Sequence, residues 1–220
     1  METASDEMKL HPMIVAVEGI DGAGKSTQIP HISAWFERHG FVTCRTCEPT
    51  HGEYGVRIRQ AAVRLSAARE RELFVLDRKQ HLSDCMLPAL ERGEVVITDR
   101  YFYSSVAYQG TRLDAFEGAP TERDLEGLQD EIYAEQLGFA PEADVLIYFR
   151  LSVDEALSRM RAGRERLDPF EERGNLSRVS AAFERIARRH PCVVTVDAAE
   201  PVERVTAAIV GQLESIFREP

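Results

Sequence analysis

The stretch Gly19-Ile20-Asp21-Gly22-Ala23-Gly24-Lys25-Ser26-Thr27 follows directly on an apolar run from Met13 to Val17 that Glu18 closes. It fits G-x-x-x-x-G-K-[ST], the pattern of a loop whose backbone N–H groups wrap a phosphate at the start of a helix. The glycines permit positive φ angles and a close approach of the chain that a Cβ would block. Lys25 is expected to reach the β- and γ-phosphates of a nucleotide, and the Ser26 hydroxyl to meet Mg²⁺. Gly19, Asp21, Gly22, Ala23, Gly24, Lys25, Ser26 and Thr27 are therefore the expected ATP and phosphate-binding set. The dinucleotide pattern G-x-G-x-x-G fails, because Thr27 stands where its third glycine belongs. The motif has the context it needs, an apolar strand before it and a helical pattern after it, and that context constrains the fold.

The rest of the chain repeats this alternation. Residues 1–12 are polar and read as a flexible tail, and residues 13–220 as a single domain. After the strand Met13 to Glu18, a helix carries Ile29, Ile32 and Phe36, with Pro30 expected to bend it. Gly40 stops that helix, and Phe41 to Cys47 reads as a second strand. A helix through Val56, Ile58, Val63 and Leu65 is expected next, then a longer one from Ala68 to Arg92 that Pro88 kinks or shortens. Glu94 to Asp99 is a third strand ending in a carboxylate, and in this arrangement a strand-terminal Asp faces the metal of the phosphate loop. A helix through Leu125, Leu128, Ile132 and Tyr133, a strand from Val145 to Phe149, and a helix from Val153 to Met160 follow. A helix through Leu176 and Phe183, a strand from Cys192 to Val196, and a last helix from Val202 to Ile216 complete the pattern. Strands alternating with helices predict an α/β, three-layer P-loop NTPase fold, a five-stranded parallel sheet flanked by helices.

Composition narrows the partners. The formal net charge of -10 argues against a general nucleic-acid binder, so positive charge must be concentrated where an anionic nucleotide binds. Arg159, Arg161, Arg164 and Arg166 supply such a concentration, the last three between two predicted helices. Arg161, Arg164 and Arg166 are the expected lid arginines, on a lid at about 161–172, placed to stabilise charge on a transferred phosphoryl group. No stretch reaches the ~20 apolar residues of a membrane span, and the cytoplasm is the expected compartment. Cys44 and Cys47 read C-x-x-C, but no second pair completes a metal site, and on a strand they face opposite sides. The lysine of a guanine-reading Asn/Thr-Lys-x-Asp motif is missing, because Lys79 is followed by Gln80 and His81.

Four segments in order, Glu18 to Gln28, Glu48-Pro49-Thr50, Leu73-Phe74-Val75-Leu76-Asp77-Arg78, and Asp99 to Gly110, resemble the thymidylate kinase family. The resemblance covers nearly the whole chain, and Asp99 to Gly110 is its most specific part. It implies transfer of the ATP γ-phosphoryl to dTMP with Mg²⁺, by an enzyme that acts as a homodimer. Arg100 then corresponds to the arginine on the acceptor phosphate and Asp99, with Ser26, to the metal site. Phe74 would stack on thymine and Arg78, one turn later on the same helix face, would bond its edge. Asp21 matches the carboxylate on the sugar 3′-hydroxyl, and Tyr108 a tyrosine crowding the 2′ position. Glu48, Pro49, Ser104, Ser105 and Gln109 complete the dTMP pocket. Lys25, Arg100, Asp21 and the lid arginines make up the catalytic set.

Two positions depart from that pattern. Members often carry arginine before Glu-Pro, where this chain has Cys47; Arg45 and His51 are the expected substitutes. Gly22 stands where some members place a loop arginine, which raises the weight on the lid. A kinase of another pyrimidine nucleotide, and a catalytically silent nucleotide-binding protein, are the rival readings, since one methyl group separates thymine from uracil and is worth only ~1–3 kcal/mol.

Overall fold

The computed structural model describes residues 11–61, 65–163 and 173–218. Most of the expected tail, together with Arg164 and Arg166 of the expected lid, lies outside the described residues.

The unbroken apolar run forms β1 (Ile14–Glu18), buried at every position as a central parallel strand requires. It pairs in parallel with β3 (Val95–Asp99) on one side and β4 (Val145–Arg150) on the other. β2 (Thr43–Cys47) and β5 (Val193–Asp197) lie at the two edges, giving the order β2-β3-β1-β4-β5. This is the expected parallel five-stranded sheet. The edge strands are only partly buried, and β2 alone of the five has no fully buried residue.

The helices cover the sheet. α1 (Lys25–Arg38) runs unbroken through Pro30 and buries Ile29, Ile32, Trp35 and Phe36. α2 spans only Glu53–Arg59 and neither Ala61 nor Leu65 is helical, so the expected single helix through Leu65 is not formed; Val63 lies outside the described residues. The four apolar positions fall on two opposite sides of a helix, Val56 with Val63 and Ile58 with Leu65, so the pattern offers no single stripe for a longer helix to bury. α3 (Ala67–His81) ends in a π turn, Leu82–Met86, before α4 (Leu87–Glu91) resumes with Pro88 in its first turn. A proline has no N–H for the carbonyl one turn back, and the widened turn directly before it takes up that break. α5 (Phe102–Tyr108) is buried at every residue. α6 (Glu122–Leu137), α7 (Val153–Gly163), α8 (Arg173–Arg189) and α9 (Val202–Phe217) follow in the expected order.

Register decides where a site can form. Val17 lies level with Asp99, and Asp99 with Cys47, so β1, β3 and β2 end together at one edge of the sheet. The chain leaves β1 toward β2 but leaves β3 toward β4. In open α/β sheets, ligands bind in the crevice where neighbouring connections part in this way.

Candidate active site

The loop after β1 is shaped by its backbone. Gly19, Gly22 and Gly24 have φ of 147°, 80° and 84°. A Cβ on Gly19 would stand 2.7 Å from the Phe149 carbonyl oxygen, so the loop packs directly on the end of β4. α1 starts at Gly24 with no side chain capping its first N–H groups. Lys25 is buried, and its Nζ donates to the carbonyls of Gly19 at 3.0 Å and Ile20 at 3.1 Å. Burial above all, then the Arg100 charge, pulls its pKa down to about 8. Ser26 Oγ donates to Asp99 Oδ2 at 2.6 Å, which brings the two expected metal ligands together. They offer one neutral and one anionic oxygen beside the phosphate loop. Among the described residues no cluster of three or more His, Cys, Asp or Glu forms a closed cage. Such a sparse, hard donor set suits Mg²⁺, which keeps water and substrate oxygens for the rest of its shell.

Arg100, just after β3, joins this loop to the expected acceptor side. Its guanidinium donates to Asp21 Oδ1 at 2.6 Å, Ser104 Oγ at 3.0 Å and the Gly19 carbonyl at 3.3 Å, and it lies 5.2 Å from the centre of the Tyr108 ring. It does so from a backbone φ of 71°, a left-handed conformation no other described non-glycine residue adopts. Tyr108 Oη donates to the other Asp21 oxygen at 3.0 Å. Burial raises the Asp21 pKa, but the charges of Arg100 and Lys25 and the Tyr108 bond outweigh it and hold the carboxyl at about 2. Behind them, Glu18 is fully buried and accepts from the Tyr101 and Ser104 amides and from Ser104 Oγ at 2.8, 3.1 and 2.6 Å. Burial pushes its carboxyl upward.

The expected base pocket converges on α3 and α5. Arg78 is buried, and its Nε donates to Glu48 at 3.0 and 3.2 Å, Nη2 to Glu48 and, at 3.1 Å, to Ser105 Oγ, and Nη1 to Gln136 Oε1 at 2.6 Å. Burial raises the Glu48 pKa, yet Arg78 and the His81 bond bring it below its ordinary value. Phe74 is half-buried one turn before Arg78. Gln109 is buried, and its Nε2 donates to Glu70 at 2.8 Å. A carboxylate can only accept, so the Gln109 amide oxygen is left over, buried and without a hydrogen-bond partner among the described residues.

The loop Glu48-Pro49-Thr50 is fastened to α3 by Asp77, which accepts from the Thr50 amide at 2.8 Å and hydroxyl at 2.6 Å. Gly55 allows α2 to lie on this loop, since a Cβ there would fall 1.9 Å from the Thr50 carbonyl oxygen. That approach delivers Arg59, whose guanidinium donates to the Pro49 and Thr50 carbonyls and meets His51 Nδ1 at 3.1 Å. Arg59, rather than Arg45, is therefore the positive charge beside Cys47. Arg45 is exposed and its charge lies by Glu37. Cys47 Sγ turns to the Pro49 carbonyl at 3.8 Å while Cys44 Sγ lies 3.7 Å from Cys85 Sγ, so the two cysteines of the C-x-x-C do face apart.

Sequence reasoning missed Glu18, Arg59, Asp77, His81 and Gln136 as parts of this site. Glu18 and Asp77 stand inside the family-like segments, which was a usable signal; Arg59 and Gln136 carry none. Of the lid set, Arg161 is exposed in the last turn of α7.

A parallel sheet of this order, with a phosphate loop after its first strand and an arginine after its third, is that of a P-loop phosphotransferase. The thymidylate kinase family model matches residues 17–209. The thymidylate kinase of Xanthomonas oryzae pv. oryzae is 36% identical over 211 residues, covering 94% of this chain and 87% of that protein. That of Xanthomonas campestris pv. campestris is 35% identical over 210 residues, covering 94% and 86%. A probable thymidylate kinase of Thermococcus kodakarensis is 33% identical over 219 residues, covering 94% of this chain and 100% of that protein. The chain belongs to the thymidylate kinase family.

Proposed function

We propose that this enzyme transfers the γ-phosphoryl group of ATP to dTMP, giving ADP and dTDP, with Mg²⁺ as its metal. The observation that carries the reading is the Arg100 guanidinium bonded to both Asp21 Oδ1 and the Gly19 carbonyl. It sets an acceptor-side cation directly against the donor loop, as in-line transfer between two phosphates demands.

On this reading the loop amides, the N-terminus of α1 and Lys25 bind the ATP phosphates. Ser26 and Asp99 hold Mg²⁺, which offsets charge on the β- and γ-phosphates. Arg100 binds the acceptor phosphate, with Arg59 as a second cation on the same side. A nucleoside monophosphate loses its second proton near pH ~6, so at neutral pH it is already a dianion and needs no general base. Asp21 orients the sugar 3′-hydroxyl while Tyr108 crowds the 2′ position. Phe74 stacks on the base, Arg78 donates to a ring carbonyl, and the Gln109 amide oxygen accepts the imide N–H. Arg161, Arg164 and Arg166 close over the phosphates as a lid and exclude water.

A coupled ADP-release assay with ATP and Mg²⁺ against dTMP, dUMP, dCMP, dGMP and UMP tests the substrate. Turnover of dTMP ahead of the others is expected, and preference for dUMP or UMP would replace thymine with uracil as the base. No helix among the described residues is long and apolar enough to cross a membrane. We propose residence in the cytoplasm and action as a homodimer, the second on the family resemblance alone, and sedimentation of the purified protein tests it.

A further inference from the structure

His81 is bonded to Glu48 and buried behind the expected base pocket, and the proposed reaction gives it no role of its own. It closes α3 opposite β2. Its Nε2 meets Thr46 Oγ1 at 2.6 Å and its Nδ1 meets Glu48 Oε1 at 3.0 Å. An ionised carboxylate only accepts, so Nδ1 carries the hydrogen that reaches Glu48; in the neutral imidazole Nε2 is then the acceptor, and the Thr46 hydroxyl donates to it. The Arg78 charge, which keeps Glu48 ionised against its burial, agrees with that assignment.

Glu48 in turn commits Arg78. The guanidinium has five N–H groups. The Nε hydrogen and one on Nη2 go to Glu48, the second on Nη2 to Ser105 Oγ, and one on Nη1 to Gln136 Oε1. One Nη1 hydrogen stays uncommitted among the described residues. We infer that His81 is a positioning residue for the acceptor base: through Glu48 it holds the Arg78 guanidinium so that this one remaining N–H stays available to the nucleobase. The inference rests on the dTMP reading above. With His81, Glu48 and Arg78 at 3, 5 and 1% exposure, water does not readily replace a lost partner, and a freed Glu48 turns Arg78 with it.

The test uses the full chain as wild type and as the variants His81→Asn, His81→Gln and Thr46→Val, with steady-state kinetics for both substrates and calorimetric titration with dTMP. The Asn side-chain nitrogen overlays Nδ1 and keeps the bond to Glu48; the Gln nitrogen overlays Nε2 and loses it. His81→Asn is expected to stay within about threefold of wild type, and His81→Gln to raise both KM and Kd for dTMP about tenfold, with kcat and the KM for ATP unchanged. Thr46→Val, on a half-exposed strand, is the mild variant, expected to raise the KM for dTMP about threefold. Equal effects of Asn and Gln, or a KM for ATP that rises in parallel, would reduce His81 to a packing residue and overturn the inference. If neither histidine variant folds, Thr46→Val decides: an unchanged KM for dTMP overturns it. Wild-type protein that does not turn over dTMP fails the substrate reading, and this inference with it. Wild-type turnover without the Asn and Gln split fails this inference alone.

Discussion

The proposed donor loop and acceptor pocket share one sheet edge but are built in opposite ways. The loop from Gly19 to Thr27 is contiguous, and its form comes from glycine φ angles and one buried lysine turned back on its own carbonyls. The acceptor pocket draws Glu48 from the end of β2, Arg78 from α3, Arg100 from the end of β3, Ser105 and Tyr108 from α5, and Gln136 from α6, and it is tied together by side-chain bonds. A site made of backbone tolerates little change at any glycine but few of its side chains matter. A site made of side chains spreads its function over many partners, each with a smaller share.

That contrast orders the expected effects. Lys25→Ala removes the one side-chain cation of the donor loop, and kcat is expected to fall roughly 10²–10³-fold, with an unchanged far-UV circular dichroism spectrum. Retained turnover would mean that the backbone amides suffice. The pH profile sharpens the same point. On the proposed reading Lys25 binds phosphate as the ammonium, and with its pKa lowered to about 8 it loses that charge as pH rises through this value. The kcat/KM for ATP in the free enzyme should therefore decline above about pH 8. At saturating ATP the decline in kcat should move to higher pH, because bound phosphates favour the charged form. A profile flat to pH 10 would place the titration elsewhere. Ser105→Ala takes one of several partners from Arg78, and only about a fivefold rise in the KM for dTMP is expected, with ATP kinetics unchanged. A loss as large as that of Lys25→Ala would erase the distinction between concentrated and distributed sites.

The same contrast explains what could be read in advance. The loop, the buried central strands and the carboxylate ending β3 were legible because each is a local pattern with a direct physical cause. The end of α2 is not legible, because Val56, Ile58, Val63 and Leu65 divide between two opposite sides of a helix and mark no one face. Pro88 announced an interruption of the helix, but its form as a π turn over Leu82–Met86 depends on packing that letters do not carry. Arg78 was expected at the base, yet the commitment of its guanidinium to Glu48, Ser105 and Gln136 joins residues up to 58 apart in sequence. Arg59 filling the place beside Cys47 needs the close approach that Gly55 grants α2, a tertiary condition invisible in either residue alone.

The left-handed backbone of Arg100 bears on how this enzyme can be improved or damaged. A non-glycine residue in that conformation costs roughly 1 kcal/mol, so glycine would sit there more comfortably than the arginine that bridges the two halves of the site. The arginine's bonds to Asp21, Ser104 and the Gly19 carbonyl outweigh that strain, because an exchange to glycine would leave the Asp21 carboxylate and buried Glu18 without their nearest cation. The strained backbone is thus held in place by the same side-chain bonds that fix the guanidinium between the two halves of the site.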